Sequence, residues 1–169
     1  LIELRKPGLK VVPRMSIVVH YDGNVVGEYE ADLVVADVVI VELKATRVLA
    51  PDLEAQLLNY LFLLERPHGA LINFRPPSVE RFLVSTSLTL AARRAFCHRD
   101  AGWQSLTDRC EELRETFVDV LHELGAFLEL SLYEEVLTFL LGGDTAVVQR
   151  VPLRRDGVTL GAQRLHLIS

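Results

Sequence analysis

Three charged side chains interrupt the apolar stretch ADLVVADVVIVELKA, which covers residues 31–45. Side chains alternate faces along a strand, so Glu42 and Lys44 share one face of the predicted strand VELK. Asp32 lies on the preceding strand, and a tight hairpin would bring its carboxylate opposite that of Glu42. At a separation of about 4 Å, two carboxylates repel each other by about 4 kcal/mol at an effective dielectric constant of about 20. The fold therefore has to place a positive charge between them.

A divalent cation with oxygen ligands is the natural counter-charge for this pair. Mg²⁺ typically binds one or two protein carboxylates and completes its shell with waters and phosphate oxygens. Lys44, on the same side, could orient a water or stabilise charge on a phosphate. This combination predicts metal-assisted hydrolysis of a phosphodiester bond. The alternative is an ordinary solvated strand face, because an E-x-K pair is common in strands that have no catalytic role.

The first half of the chain predicts the strands and the helix that would position these residues. Two strands flank the dipeptide Asp22-Gly23, a strong hairpin signal, and a third strand, DVVIVELKA, follows a turn near Ala36-Asp37. Apolar residues recur at helical spacing in APDLEAQLLNYLFLLER, and Pro51 suits the first turn of that helix. The short apolar segments GALINF and VERFLVS are predicted to be further strands.

The second half of the chain predicts helices followed by two more strands. The pattern from 88 to 141 is helical, with breaks at Gly102 and Gly125, and the tail turns at Asp156-Gly157. The order of all these elements predicts a mixed α/β fold.

The tail also resembles the beginning of the chain. The segment DGNVVGEYEADLV, residues 22–34, aligns without gaps with DGVTLGAQRLHLI, residues 156–168. Both segments start at a predicted hairpin turn, and their apolar positions largely coincide. We therefore predict a partial and degenerate internal repeat.

Composition limits the classes of protein to which this chain can belong. Its 169 residues suffice for about one domain, and no apolar run reaches the roughly 18 to 20 residues of a membrane-spanning helix. No signal peptide is predicted, so we expect a cytoplasmic protein whose Cys97 and Cys110 are free thiols. The net charge of −5 argues against a protein that coats nucleic acid but allows an enzyme with a small basic groove. The candidate basic patches are Arg93-Arg94, Arg99 and Arg154-Arg155.

Residues 1–75 resemble the GxxExxY family of the PD-(D/E)XK nuclease superfamily. The resemblance rests on an ordered series of segments, namely ELRKPGLKV, YDGNVVGEYEADLVV, VIVELKA, EAQLLNYL and GALINF. It implies a restriction-endonuclease-like core, in which helices flank a mixed sheet. It also implies Mg²⁺ or Mn²⁺ as the cofactor and DNA as the substrate.

The same resemblance assigns roles to individual residues. The implied metal ligands are the carboxylates of Asp32 and Glu42 and the backbone carbonyl of Leu43. Lys44 is the implied catalytic lysine. Gln56, on the following helix, is expected near the site, and Tyr60 lies four residues further on the same helix face and is expected to be mainly a core residue.

The chain departs from the family at its first helix, which carries a glutamate in a G-x-x-E-x-x-Y motif. No such helix precedes Leu1, whereas the segment LGAFLELSLYEEVL near the C-terminus resembles it. When the segments are aligned on Tyr133, Leu130 occupies the position of the glutamate. Glu129 is adjacent, and on a helix it would point about 100° away.

These features predict three segments: a nuclease-like core at 1–85, a helical linker at 86–103, and a segment at 104–169 that resembles the start of a second, degenerate copy. In one architecture the core has lost its first helix and the second copy is broken. In the other, helices from 104–141 pack on the first sheet and replace that helix, within one chain or across a homodimer. Burial favours the second architecture, because a bare sheet face exposes more than the few hundred Å² usual for a soluble monomer.

The sequence therefore predicts a Mg²⁺-dependent nuclease that hydrolyses DNA phosphodiester bonds. The predicted catalytic residues are Asp32, Glu42, Lys44 and Gln56. Activity is expected to be impaired, because Leu130 cannot replace a glutamate. The alternative is a catalytically inactive nuclease-fold protein that binds nucleic acid or a protein partner. The missing glutamate favours this alternative, and the intact Asp…Glu-x-Lys pattern favours the enzyme.

Overall fold

A computed structural model of the chain describes residues 8–166, and the side chains of 164–166 are outside that description. The first letters of the ELRKPGLKV segment therefore lie outside the described residues. The strands are β1 (Val11–Tyr21), β2 (Asn24–Val35), β3 (Val39–Lys44), β4 (His68–Asn73), β5 (Glu80–Ser85), β6 (Val148–Arg155) and β7 (Val158–His166). The helices are α1 (Pro51–Leu63), α2 (Leu90–Arg94), α3 (Asp108–Leu124), α4 (Leu130–Leu140) and α5 (Asp144–Val147).

The main sheet has five strands in the order β1-β2-β3-β4-β5. All neighbours are antiparallel except β3 and β4, which run parallel and are joined by helix α1. A parallel pair needs such a crossover, whereas antiparallel strands can be joined by short turns. The mixed α/β class with a mixed sheet and helices, predicted from the sequence, is confirmed.

Two tight turns set the register of the first three strands. Asp22 and Gly23 have φ values of 47° and 75°, and Ala36 and Asp37 have φ values of 53° and 60°. Positive φ at both central residues is typical of type I′ turns, whose twist matches that of the flanking strands. Both turns lie where the sequence predicts them.

Helix α1 lies very close to strand β4 because Gly69 leaves room for it. A Cβ atom at Gly69 would lie 2.9 Å from the Cδ1 atom of Leu57, which is fully buried. This close approach holds helix α1, which also carries Gln56 and Tyr60, against the sheet at β4 and the neighbouring strand β3.

Helix α4 covers the hairpin formed by β1 and β2. Its buried residues share one apolar cluster with residues of that hairpin, and Leu132 is 1% exposed. The main members of this cluster are Val19, Tyr21, Val26, Phe62, Val120, Leu128, Leu132, Tyr133 and Val136. A Cβ atom at Gly27 would lie 2.8 Å from Leu132 Cδ1, so this glycine admits the leucine. A helix from the C-terminal half thus packs on the first sheet, as the second architecture requires.

We expect Leu132→Ala to lower the free energy of unfolding by about 2–5 kcal/mol, because it removes a buried side chain and leaves a cavity. The matched control is Leu130→Ala on the same helix. Leu130 is 69% exposed, so its truncation is expected to change stability by no more than about 0.5 kcal/mol. Urea unfolding of the three proteins measures both values, and equal stability of the two variants would contradict the packing of α4.

The segment predicted as a helical linker, 86–103, contains only the short helix α2. Thr89 caps this helix by accepting a hydrogen bond from the Ala92 N–H, and the helix ends at Arg94. The following residues, AFCHRDAGWQSLT, lack a sustained apolar repeat and contain turn-forming Asp, Gly, Ser and Thr. The prediction of a helical linker over 86–103 is therefore wrong outside Leu90–Arg94. The division of the chain into a core and a second copy stays a prediction.

Strands β6 and β7 form a separate two-stranded sheet, which contacts helix α5.

Within residues 8–166, no helix combines the length and the apolar character that crossing a membrane requires. Cys97 and Cys110 are free thiols.

Candidate active site

The carboxylates of Asp32 and Glu42 lie where strands β2 and β3 stop pairing through their backbones. The ladder pairs Leu33 with Val41, so Asp32 and Glu42 are next in register. There, the Asp32 backbone N–H donates to Glu42 Oε1 at 3.1 Å, and the Leu43 N–H donates to Asp32 Oδ2 at 2.8 Å. Each carboxylate therefore bonds to the backbone of the other strand, and the structure brings the two predicted ligands together.

Strand β1 is also distorted next to Asp32. Arg14, opposite Asp32 in register, has a φ of 49° and forms no ladder pair with it. For an L-residue other than glycine, the left-handed conformation costs roughly 1–2 kcal/mol. The Arg14 side chain instead binds Glu30, with Nε 3.0 Å from Oε1. Asp32 thus lies between two interrupted ladders, and strained backbone of this kind clusters at functional sites.

Glu42 is a buried carboxylate whose charge is balanced by Lys44. It is 3% exposed, and Lys44 Nζ donates to its Oε2 at 3.0 Å. A buried charge is costly unless it is paired and hydrogen-bonded, so this contact stabilises both groups. Part of the positive charge that the sequence requires between the carboxylates is therefore provided by the protein itself.

Helix α1 continues this network with two side chains one turn apart. Lys44 Nζ donates a second hydrogen bond, to Gln56 Oε1 at 2.9 Å, and Gln56 Nε2 donates to the Tyr60 hydroxyl at 3.0 Å. Residues four apart lie on one face of a helix, which explains why Gln56 and Tyr60 meet. A continuous chain of hydrogen bonds thus runs from Glu42 to Tyr60, which is also part of the apolar core.

The Tyr60 hydroxyl lies in the field of several carboxylates. Burial raises its pKa, the negative charge of Glu42 raises it further, and the hydrogen bond from Gln56 opposes these effects. The charges of Glu129 and Asp32 also raise the pKa of Tyr60. Tyr60 is therefore a neutral hydroxyl at physiological pH, able to donate or accept a hydrogen bond at the edge of the site.

Glu129 is closer to this region than its position in the sequence predicts. It is the N-cap of α4 with φ −58° and ψ 138°, so the 100° step between helical residues does not apply to it. Its N–H donates to Asn59 Oδ1 at 3.1 Å, and burial raises the pKa of its carboxyl. Leu130, the first helical residue, is instead largely exposed. The premise of the expected direction of Glu129, that it is a helical residue, is therefore wrong.

The loop that carries Glu129 is fixed by Tyr133. The Tyr133 hydroxyl donates to the Gly125 carbonyl at 2.6 Å and accepts from the Leu128 N–H at 3.1 Å. On the other side, burial raises the pKa of the Tyr29 hydroxyl, and the nearby charge of Glu129 adds to this effect. The charge of Glu129 thus raises the pKa of both Tyr29 and Tyr60, and Tyr60 is connected through Gln56 to Lys44.

Asn73 is a further polar residue that sequence reasoning missed. It is fully buried at the end of β4, next to Lys44 in the parallel register. Its side chain accepts from the Thr46 N–H at 3.1 Å and donates to the Thr46 carbonyl and to Glu80 Oε2, both at 3.0 Å. Asn73 therefore holds the chain that leaves β3 after Lys44. An asparagine inside the apolar run GALINF was the available signal.

The donor set at Asp32 and Glu42 fits a hard divalent cation. Carboxylate and carbonyl oxygens are the ligands that Mg²⁺ prefers, and one or two carboxylates are usual. The Leu43 N–H points towards Asp32, and in an extended strand the carbonyl of the same residue points to the same side. Among the described residues, no group of three or more His, Cys, Asp or Glu side chains could hold a metal. The protein ligands that this site offers to a cation are therefore two carboxylates and the Leu43 carbonyl.

The candidate site lies within a range of residues that the model of a known family matches. A family model described as the PD-(D/E)XK nuclease superfamily matches residues 1–82. No curated protein and no solved structure matches the chain. The matched range includes Asp32, Glu42, Lys44 and Gln56 and excludes Glu129. Membership of the narrower GxxExxY family stays a prediction.

Proposed function

We propose that this chain is a metal-dependent nuclease that hydrolyses DNA, because a PD-(D/E)XK nuclease superfamily model matches residues 1–82, which contain the candidate site. The observation that carries the proposal is the hydrogen-bonded group of Asp32, Glu42 and Lys44 at the end of β3. Such a group combines ligands for a cation with a lysine that can serve the reacting phosphate. A cytoplasmic location and a homodimer stay predictions.

Asp32, Glu42 and the Leu43 carbonyl would hold Mg²⁺ or Mn²⁺, in keeping with the general use of divalent metals by this superfamily. When bound, such an ion provides Lewis-acid stabilisation of charge on the scissile phosphate. The protein's part is to fix the two carboxylates. Asp32 is held by the Leu43 N–H, and Glu42 is held by Lys44 and by the Asp32 N–H.

Lys44 has one N–H to spare for substrate. An ammonium group has three donors, and two of them bind Glu42 and Gln56. The third has no acceptor among the described residues and can reach a water or a phosphate oxygen. Gln56 is a positioning residue, because its amide fixes the Lys44 ammonium and is itself bonded to Tyr60.

The second candidate function is binding without catalysis. It is favoured by the small number of acidic ligands, since among the described residues only two carboxylates meet at the end of β3. It is also favoured by the Glu42–Lys44 ion pair, which neutralises a ligand in the absence of metal. In this case the chain would bind nucleic acid or a protein and leave it intact.

A cleavage assay distinguishes the two functions. We expect the chain to cleave DNA with Mg²⁺ or Mn²⁺ and to leave it intact with EDTA, with RNA as the parallel substrate. Asp32→Asn removes one charged ligand and is expected to lower the rate by about 100-fold or more, as losses of single electrostatic groups in active sites do.

The matched control is Asp37→Asn, in the turn at the other end of the β2–β3 hairpin. Asp37 is exposed and binds Arg66 at 2.9 Å, an ion pair that contributes no more than about 1 kcal/mol to stability. The Asp37→Asn variant should cleave DNA at the rate of the wild type. DNA that stays intact with either metal would reject the nuclease and leave the binding function.

A further inference from the structure

The hairpin of β6 and β7 repeats the geometry of the β1–β2 hairpin. Its turn residues Asp156 and Gly157 have φ values of 51° and 80°, and Asp22 and Gly23 have nearly the same values, 47° and 75°. Both turns are therefore of type I′.

The two hairpins also share an irregularity. The register shifts between Val19 and His20 in the first hairpin and between Leu153 and Arg154 in the second. Each shift lies at the same distance from the turn, and a glycine of the other strand pairs beside it in both hairpins. A β-bulge at an equivalent place is a specific feature, so the two hairpins are structural copies.

The two copies carry opposite charge. Residues 14–32 contain one Arg and four Asp or Glu, a net charge of −3. The equivalent residues 148–166 contain four Arg and one Asp, a net charge of +3. The whole chain has a net charge of −5, so the part outside this second hairpin has a net charge of −8. The β6–β7 hairpin is thus a basic element on an acidic protein.

Three arginines of this hairpin, whose side chains the structure describes, are exposed and have no structural task among the described residues. Arg150, Arg154 and Arg155 are exposed, and their one ion pair there is a loose contact from Arg155 to Asp156 at 3.8 Å. A two-stranded hairpin alone is at best marginally stable in water. Here it lies outside the main sheet and, among the described elements, contacts mainly α5. Its side chains are therefore free to meet a ligand.

The predicted basic patch at Arg93-Arg94 has a different role. Arg93 is 2% exposed, and its guanidinium donates to the carbonyls of Leu124 and Ala126, both at 3.1 Å. Arg94 binds the Glu123 carbonyl in the same way. These two arginines join α2 to the end of α3, so they are structural, and Arg154-Arg155 is the predicted pair that is left for a ligand.

We propose that the β6–β7 hairpin binds the phosphate backbone of nucleic acid. The inference rests on the proposed function, because that function makes a phosphodiester polyanion the substrate. Charge complementarity supports it: the guanidinium fork matches phosphate geometry, and the rest of the chain would repel a polyanion. The hairpin thus provides the attraction that the acidic body lacks and holds DNA independently of the metal site.

The test measures binding of a short fluorescein-labelled DNA duplex by fluorescence anisotropy, with the full chain and with EDTA present so that no cleavage occurs. We expect R154Q/R155Q to weaken binding by about 10-fold at about 50 mM salt and to reduce the slope of log K against log salt by about 1.8. The control K10Q/R109Q removes the same charge from an exposed lysine and an exposed arginine outside the hairpin and should bind as the wild type. Thermal melting verifies that all three proteins fold.

Several results would overturn the proposal. They are equal DNA binding by R154Q/R155Q and the wild type, equal losses in both double variants, no DNA binding by the wild type, or binding to phosphatidylserine vesicles without binding to DNA. A chain that fails to cleave DNA but shows the expected binding difference would reject the nuclease and support the hairpin as a nucleic-acid surface. The two proposals therefore fail on different measurements.

Discussion

We expect Mn²⁺ or Mg²⁺ to raise the melting temperature of the wild-type chain and Glu42→Gln to abolish the rise. The ion should bind only the folded protein, because only folding brings Asp32 and Glu42 together across two strands. At a metal concentration about 100 times its dissociation constant, this linkage adds roughly 2.7 kcal/mol to stability. For a chain of this size, that corresponds to an increase of about 5–10 °C.

Glutamine is the informative substitution at this position. Its amide oxygen can still accept from Lys44 or from the Asp32 N–H, so it changes the charge and preserves part of the hydrogen bonding. Glu42→Ala would leave both donors without that acceptor, and we expect it to destabilise the metal-free protein by about 1–3 kcal/mol. A lower melting temperature of the alanine variant alone would therefore say nothing about metal binding.

The control for the metal experiment is Glu28→Gln, an exposed glutamate on strand β2. It removes the same charge from the same sheet and should preserve the full increase in melting temperature. An equal increase in Glu42→Gln and in the wild type would mean that the metal binds elsewhere. Asp32 and Glu42 would then be ordinary residues of the sheet.

The local geometry of the site could be predicted from the sequence because it depends on short-range rules. Strand alternation places Glu42 and Lys44 on one face, the two tight turns set the register, and helical spacing joins Gln56 to Tyr60. Each rule connects residues that are close in sequence. The part of the site that β2, β3 and α1 form can therefore be predicted without a structure.

The contribution of the C-terminal half could not be predicted in the same way. Glu129 meets Asn59 across 70 residues of sequence, and that contact depends on the packing of α4 on the first hairpin. Glu129 is the N-cap of α4, and the first residue of a helix is less predictable from sequence than the helix itself.

The sequence also predicts only part of the role of Lys44. Alternation shows that Lys44 shares a face with Glu42, but it does not show that the ammonium binds the carboxylate at 3.0 Å. In the structure, Lys44 competes with any cation for the charge of Glu42. Removing the ammonium should therefore preserve or strengthen metal binding, which is a sharper expectation than the sequence allows.

We expect Lys44→Met to abolish nuclease activity and to keep the metal-induced increase in melting temperature. The substitution removes the ammonium and retains an unbranched apolar side chain of similar length in a partly buried place. If the third N–H of Lys44 orients the water or binds the phosphate, its loss is expected to lower the cleavage rate by about 10²–10⁴-fold. The increase in melting temperature should be at least as large as in the wild type, because Glu42 no longer binds an internal cation. Single-turnover cleavage and melting with Mn²⁺ provide the two measurements on one protein.

Lys10→Ala is the matched control, because Lys10 is exposed just before strand β1 and its loss changes the net charge equally. It should cleave and melt as the wild type does. If Lys44→Met retained the wild-type rate, Lys44 would be no more than the counter-charge of Glu42. If it lost both activity and the metal response, the ammonium would hold the carboxylates in place, because Glu42 without its partner would move away from Asp32. Loss of activity with a preserved metal response is the one result that separates the chemistry of Lys44 from the binding of the ion.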